Sequence, residues 1–373
     1  MSQGTALAGG RGEPPGFSLE PVALGEVDQL LERQRRQDED VNGVLVRASV
    51  SNLVVVCHDR PASRQALAAV ERLGQRAPSR CVVLIAEPPA GREDVRTWAR
   101  VVQRQTDGGP KVVWDEVVVQ TTVPPRHLVS VVLPLLLPEL PVFTWWTGTP
   151  PFGDEVFDEL TEVSNRLIVD SAAFADPPAD LARLARAAAA ITPAVSDCVW
   201  GRLTPWRELL AAPFGGPPLR GSHDRIRSVS VDAVEPTAGL ELVGWFASRL
   251  GWELDEVRLA ADPASDAWHA RWTTAGGVCD TVVTTSLGAG ALTKAALKVD
   301  CDDGPASIRV EAPPGHLVAT VTATGHEPSR RRVGLASAAD PIGLSAELQV
   351  FGHDRIFEEA LVPAAALAEA ASE

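Results

Sequence analysis

The sequence predicts a Rossmann-like three-layer α/β domain followed by an α+β domain with a mostly antiparallel sheet. In the first half, continuous apolar runs alternate with helical patterns, as in parallel sheets covered by helices on both faces. In the second half, short segments of alternating polarity indicate antiparallel strands with one solvated face. Pro213 to Gly221, rich in Pro and Gly, separates the halves and is typical of a linker. Because 373 residues exceed one typical core, two domains are expected.

The chain is therefore expected to divide into a tail with one helix (1–43), a Rossmann-like domain (44–214) and an α+β domain (222–373). Residues 1–16 are rich in Gly and Pro and predict a disordered tail. Apolar residues recur every three or four positions over 24–36, which predicts a helix there.

A β-α-β unit opens the first domain. Val44 to Cys57 predicts one or two strands, and its apolar core NLVVV (52–56) is typical of a strand buried on both faces. A helix is expected over 62–76 and a second buried strand over 81–86 (CVVLIA). This order implies a parallel pair with a right-handed crossover. The alternation continues with strands at 112–120, 141–146 and 166–170 and helices at 128–137, 155–163 and 179–190.

The second domain has a different pattern. A helix is expected over 239–250 (GLELVGWFASRL), and a last helix over 354–371. Short alternating segments between them predict an antiparallel sheet. Its strands are expected at 267–273, 281–285, 295–299, 306–310 and 316–324.

The charge balance argues against nucleic acid as a partner. The net charge is -15 and the pI is about 5.0, whereas a nucleic-acid groove needs clustered Lys and Arg. Two short basic groups occur, around Arg33 to Arg36 and at Arg330 to Arg332. We interpret both as solvated faces or contacts to a protein partner.

Cysteine usage and the apolar stretches favour a cytoplasmic protein. The five cysteines are widely spaced and form no C-x-x-C pair, which argues against a disulfide framework or a zinc site. The Gly- and Pro-rich start lacks the apolar core of a signal peptide. The longest apolar stretch, 128–143, contains three prolines and is too short to span a bilayer. No membrane partner is expected.

No catalytic motif is present in the sequence. There is no G-x-G-x-x-G, Walker A or G-x-S-x-G pattern, so we expect no catalytic residue, no bound cofactor and no metal. Three His-Asp pairs are attributed to chance composition. Two alternatives stay open: Arg60, Ser63 and Arg64 hold a phosphate or belong to a helix-capping turn, and Asp170-Ser171 lines a ligand site or caps a helix.

Tryptophan and arginine form the unusual feature of the first domain. The chain has ten Trp and no Tyr, and Trp with Arg is the composition of interface hot spots. The alternative is that these tryptophans fill the core. The candidate partner-binding residues are Trp145, Trp146, Arg202, Trp206 and Arg207.

Four blocks in this region resemble the OpcA family. They are PSRCVVL (78–84), LPELPVFTWWTGTPP (137–151), FDEL leading to NRLIVDS (157–171), and WGRLTPWRELL (200–210). Their order and spacing fit the family, and Ala77 stands where its first block has His. The resemblance is specific for residues 44–212, whereas the second domain agrees in length and texture only.

The resemblance implies a non-catalytic assembly factor or allosteric activator of glucose-6-phosphate dehydrogenase, the entry enzyme of the oxidative pentose phosphate pathway. The expected partner is therefore that dehydrogenase. The alternative from the fold is an enzyme acting on a sugar phosphate or nucleotide sugar through the Rossmann-like half. Stabilisation by a nucleotide sugar alone would favour the alternative.

Overall fold

The chain forms two compact units, residues 1–141 and 142–373. The computed structural model describes residues 14, 17, 20–42, 46–47, 49–73, 78–86, 94–105, 111–123, 127–262, 265–335 and 343–370. Most of the predicted disordered tail therefore lies outside the described residues. No helix among the described residues has both the length and the apolar content needed to cross a membrane.

The first unit contains a parallel sheet with one antiparallel strand. The strand order β1-β5-β3-β2 is parallel throughout, and β4 pairs antiparallel with β5. The predicted β-α-β unit is confirmed, since α2 connects the parallel pair β2 and β3. The elements are α1 (Val27–Asn42), β1 (Val46–Arg47), β2 (Ser51–Cys57), α2 (Arg60–Leu73), β3 (Ser79–Ala86), β4 (Val95–Gln105), β5 (Lys111–Thr121) and α3 (Leu128–Val132).

The second unit begins with three parallel strands joined by helices. β6, β7 and β8 lie side by side in sequence order. Two short helices follow β8 where the Trp-rich block WGRLTPWRELL lies. The elements are β6 (Val142–Trp146), α4 (Glu155–Glu162), β7 (Arg166–Val169), α5 (Pro177–Ala190), β8 (Ala194–Asp197), α6 (Cys198–Arg202) and α7 (Thr204–Ala211).

An eight-stranded sheet forms the rest of this unit, in the order β10-β11-β12-β9-β13-β14-β15-β16. All neighbours are antiparallel except β9 and β12, which are parallel. The elements are β9 (Ile226–Ala233), α8 (Pro236–Leu250), β10 (Glu253–Asp262), β11 (Ser265–Thr274), β12 (Gly277–Thr285), β13 (Leu292–Cys301), β14 (Gly304–Glu311), β15 (His316–Ala323), β16 (Ser329–Gly334), α9 (Leu344–Glu347) and α10 (Arg355–Ala370).

Helices cover one face of this sheet. α8 packs on β9 and β12, α7 packs on β14 and β15, and α10 packs on both α8 and α5. The α8–α10 approach requires glycine, because a Cβ at Gly244 would collide with the backbone oxygen of Ala360. The predicted fold class, Rossmann-like α/β followed by α+β with a mostly antiparallel sheet, is confirmed. The predicted domain boundary at residues 215–221 stays a prediction.

Candidate functional site

The carboxyl ends of β7 and β8 bring together the polar residues of the candidate site. Asp170 and Ser171 follow β7 directly, and Asp197 is the last residue of β8. In open α/β sheets, this edge is where ligands bind. The N-terminal region of α8 contributes further polar side chains, since the hydroxyl of Ser171 donates to the hydroxyl of Thr237 over 2.9 Å.

Arg202 occupies the edge after β7. Its Nη2 lies 2.8 Å from Oδ1 of Asp170 and 3.0 Å from Oε2 of Glu235. All three side chains are mostly buried. Burial opposes the charge on Arg202, but the two carboxylates outweigh it and raise the pKa of its guanidinium. Burial also raises the pKa of Glu235, and Arg202 only partly offsets this effect. The arginine is therefore held by the chain's own carboxylates.

A pair of buried acids lies beside this cluster. Oδ1 of Asp197 accepts hydrogen bonds from the backbone N–H groups of Ser171 and Val199, and the second bond caps α6. Oδ2 of Asp197 and both carboxyl oxygens of Glu241 receive no hydrogen bond from a backbone or side-chain donor among the described residues, and a side-chain hydrogen bond joins the two acids to each other. Burial, followed by the charge of Asp197, raises the pKa of Glu241 well above its ordinary value. We therefore assign the neutral, protonated form to Glu241.

A neutral Glu241 makes stability depend on pH. A carboxyl whose folded pKa is raised loses its proton first in the unfolded chain, so the folded state is destabilised as pH rises above 4.5, the ordinary value. Glu241→Gln keeps the size and shape of the side chain but removes the carboxyl group that can ionise. We expect it to raise the melting temperature at pH 8 by about 2 °C or more, with the difference shrinking towards pH 4.5.

Differential scanning calorimetry across this pH range measures the effect. The matched control is Glu208→Gln, at an exposed position of α7, which should leave the melting temperature unchanged. A Glu241→Gln variant that melts lower at pH 8 would show that Glu241 is ionised in the fold and attracted to Arg207, whose charge opposes the shift.

Arg207 pairs with Trp200. Its guanidinium carbon lies 3.5 Å from the centroid of the Trp200 ring, and its Nη1 donates to the Trp200 carbonyl oxygen over 2.8 Å. Trp200 Nε1 in turn donates to Oδ2 of Asp354 over 2.9 Å. Burial lowers the pKa of Arg207 to about 10, and the charges of Asp354 and Glu347 oppose this shift only in part. Arg202 and Trp206 lie on two separate short helices, α6 and α7.

The three candidate tryptophans are buried. Trp145, Trp146 and Trp206 are 3%, 7% and 3% exposed. The ring of Trp146 packs 6.3 Å from that of Phe157 on α4. Such burial agrees with the alternative that these tryptophans fill the core. Of the five candidates, only Arg202 and Arg207 keep partly exposed surface.

The structure shows which contacts are made at the two places where the sequence left alternatives open, the start of α2 and the end of β7. The Asp59 carboxylate accepts from the backbone N–H of Ala62 over 2.7 Å, as in a helix-capping turn at the start of α2. Asp170 makes no side-chain cap and binds Arg202 instead. In the described part of the chain, no group of three or more His, Cys, Asp or Glu is placed to hold a metal ion.

Sequence reasoning missed the acids that complete the cluster, Glu235 and Glu241, and a second buried arginine. Arg166, 1% exposed, donates to the carbonyl oxygen of Gly352 over 2.6 Å and lies 3.3 Å from Oε2 of Glu347. Arg166 belongs to the NRLIVDS block, so its position at the start of an apolar strand was the available signal. No comparable signal marks Glu241, which is one polar residue in an apolar helix.

Fold and site define a Rossmann-like α/β protein with an α+β second half, in which Arg202, Asp170 and Glu235 form an ion-pair cluster at the edge after β7. Two family models match the sequence, and both describe a glucose-6-phosphate dehydrogenase subunit. The model of its N-terminal domain matches residues 70–186, and the model of its C-terminal domain matches residues 193–361. The chain belongs to this family, the OpcA family.

Curated relatives carry a consistent name. The protein of Nostoc punctiforme named "Putative OxPP cycle protein OpcA" is 38% identical over 121 residues, which are 32% of this chain and 26% of the relative. Its counterpart in Synechocystis is 36% identical over 125 residues, 33% of this chain and 26% of the relative. The matches thus span about a quarter of the relatives' length.

Solved structures resemble the chain only distantly. The apo scyllo-inositol dehydrogenase of Lactobacillus casei has a TM-score of 0.48 at 11% identity and covers 87% of this chain and 96% of its own. The MviM dehydrogenase of Clostridium difficile has a TM-score of 0.47 at 9% identity, over 86% of this chain and 97% of its own. At these values the similarity says nothing about the chemistry of this chain.

Proposed function

We propose that this chain is a non-catalytic partner that binds glucose-6-phosphate dehydrogenase and favours its active oligomer in the oxidative pentose phosphate pathway. The observation that carries the proposal is family membership, since both matched models describe domains of a subunit of that dehydrogenase. The names of the curated relatives, which refer to the OxPP cycle, support the same role.

The ion-pair cluster supports a binding role over a catalytic one. A substrate site at the carboxyl end of β7 needs an open crevice with free polar groups. Here Arg202 lies at that edge and is paired with Asp170 and Glu235. A cation paired with two carboxylates of its own chain would have to give them up before it could bind a phosphate. The cluster is therefore not a substrate site in this proposal.

Five residues are proposed to serve the partner: Trp145, Trp146, Arg202, Trp206 and Arg207. Arg202 and Arg207 have partly exposed surface for direct contact. The three tryptophans are buried, so their contribution would be to hold the partner-binding surface in shape.

Activation in this proposal is a shift between two states of the dehydrogenase. A partner that binds the active oligomer more tightly than the inactive form moves the equilibrium toward the active one. A tenfold shift needs a difference in binding free energy of about 1.4 kcal/mol. Such a difference is within reach of one or two well-placed contacts.

The expected setting of this partnership is the cytoplasm, without nucleic acid, membrane or bound cofactor. A net charge of -15 disfavours a polyanionic partner. All five cysteines are free thiols, which fits a reducing compartment.

The test mixes the purified chain with glucose-6-phosphate dehydrogenase from the same cell. We expect the chain alone to give no NADP reduction with glucose 6-phosphate. Added to the dehydrogenase, it should raise the turnover and shift the oligomer distribution in light scattering. An unrelated acidic protein of similar mass is the control.

Two results would contradict the proposal. One is the absence of binding and of any change in the dehydrogenase at micromolar concentrations of both proteins. The other is a thermal shift of this chain by a nucleotide sugar or sugar phosphate without the dehydrogenase, which would favour the alternative enzyme.

A further inference from the structure

Strand β16 forms one edge of the eight-stranded sheet and is rich in arginine. Its sequence is SRRRVG, and among the described residues it pairs with β15 alone. Arg330, Arg331 and Arg332 are all exposed. An edge strand of this kind presents unpaired backbone N–H and C=O groups on its outer side.

The pairing register places two of these arginines on the face of the sheet opposite to the one on which α7 packs. Arg330 lies opposite Thr320, which lies opposite Arg309, and Arg332 lies opposite Val318. Residues directly opposite each other in neighbouring strands share a face. Since buried residues such as Ile308 and Val310 alternate with Arg309 on β14, the arginines point away from the helices.

Lys298 completes this group. Lys298 of β13 lies opposite Ser307 of β14. Ser307 is two residues from Arg309 on the same strand, so Lys298 and Arg309 are on the same face of the sheet. We name Lys298, Arg309, Arg330 and Arg332 the basic corner. None of the four has an ion-pair partner among the described residues.

On the other strands of the sheet, several cations lie next to acids. Arg271 lies 3.0 Å from Asp280, Arg258 lies 2.6 Å from Glu256, and Lys294 lies 3.6 Å from Asp232. The carboxylate of Glu311 lies near them on the same face, opposite Val318, and lines a surface cavity with Arg330. The four cations outnumber it and have no ion pairs among the described residues, which is a local excess of positive charge in a chain of net charge -15. Charged edge strands also serve to prevent edge-to-edge aggregation, so a guarding role is the competing explanation.

We propose that β16 receives an extended acidic segment of a protein partner, which adds as a further strand. Side chains two residues apart on an incoming strand point to the same face, and Arg330 and Arg332 are two residues apart. The segment should therefore carry two acids separated by one residue, facing these arginines. Backbone hydrogen bonds to the free edge would supply affinity, and the two charge pairs would supply specificity.

The partner's identity in this inference rests on the proposed function, which makes the dehydrogenase the source of the acidic segment. The basic corner itself can be tested without it. The probe is a nine-residue peptide in which Glu alternates with Thr and Val, labelled for fluorescence anisotropy at low salt. A composition-matched peptide with adjacent glutamates, and a second with Pro at its centre, test the spacing and the strand pairing.

We expect the alternating peptide to bind at least about tenfold more tightly than either comparison peptide. The double variant Arg330→Glu/Arg332→Glu should weaken its binding by about tenfold or more. The matched control is Arg258→Glu/Arg271→Glu, which reverses two exposed arginines of β10 and β11. Equal binding of all peptides, or equal binding to the β16 variant, overturns the proposal.

The competing explanation gives a different result. If the arginines only guard the edge, Arg330→Ser/Arg332→Ser self-associates in light scattering and no peptide discriminates between variant and wild type. A further binding measurement uses the dehydrogenase in place of the peptide. If the wild-type chain does not bind the dehydrogenase, the proposed function is contradicted. Wild type that binds, together with an Arg330→Glu/Arg332→Glu variant that binds equally well, contradicts this inference alone.

Discussion

Replacing Trp145 by alanine should lower the free energy of unfolding by about 3–5 kcal/mol. Trp145 is 3% exposed in β6, where it pairs in register with Ile168 of β7. Removing its ring leaves a cavity between a parallel strand and its covering layer, and the surrounding structure can relax only in part. Chemical denaturation followed by circular dichroism measures the change. Val362→Ala, at a 68% exposed position of α10, is the control and should change stability little.

The same variant separates the two roles assigned to the Trp-rich blocks. If Trp145 only holds the fold, Trp145→Phe recovers most of the stability and all of the activation of the dehydrogenase. A Trp145→Ala variant that unfolds at the wild-type denaturant concentration but no longer activates would place this ring at the partner. That outcome would contradict the buried position seen in β6.

Parallel elements of the chain could be predicted from the sequence because their signal is strong. NLVVV and CVVLIA are continuous apolar runs, and both become buried strands of the first unit. The missed strands carry charges that obscure the period of two. In β4, Arg96, Arg100 and Arg104 recur every four residues and resemble a solvated helix face.

Edge strands of the eight-stranded sheet were missed for a related reason. β10 (ELDEVRLAAD) and β16 (SRRRVG) lie at its two edges and carry charge where an inner strand would be apolar. β9 was missed because its apolar residues, such as Val229 and Val231, alternate with small polar ones close to the predicted linker. Composition alone does not separate such a strand from a loop.

The candidate site was only partly predictable. Arg202 and Asp170 lie in blocks that drew attention on their own, 32 positions apart. Glu235 lies outside both blocks, in the connection between β9 and α8, and contacts Arg202 across 33 positions of the chain. Such an ion pair depends on tertiary contacts and cannot be predicted from the local sequence. The role of Arg207 was likewise set by Trp200, seven residues earlier, across the break between α6 and α7.

Arg202→Ala should be the most damaging change in the ion-pair cluster, lowering the free energy of unfolding by about 3–5 kcal/mol. Removal of one partner from a mostly buried ion-pair group leaves the remaining charges without compensation. In this cluster, Asp170 and Glu235 would face each other without the cation that bridges them at 2.8 and 3.0 Å. Arg202→Lys keeps the charge but not the forked geometry of the guanidinium, so it should lower the free energy of unfolding less than Arg202→Ala does.

The loss should depend on pH in a defined direction. Burial already raises the pKa of Glu235 in the intact cluster, and Arg202 opposes that shift. Without Arg202 the pKa of Glu235 rises further, so the variant gains relative stability as pH falls and the carboxyl becomes neutral. The stability difference between wild type and variant should therefore be larger at pH 8 than at pH 5. Urea denaturation at both values measures it.

A second substitution distinguishes charge from packing as the cause. Glu235→Gln in the Arg202→Ala background removes one of the uncompensated acids and should recover part of the lost stability at pH 8. The matching pair of substitutions, Arg64→Ala and Glu155→Gln at exposed positions of α2 and α4, is the control and should show no recovery. If Arg202→Ala loses equal stability at both pH values and Glu235→Gln recovers nothing, the arginine acts through the packing of its stem. If Arg202→Ala melts as wild type but no longer activates the dehydrogenase, Arg202 contacts the partner directly.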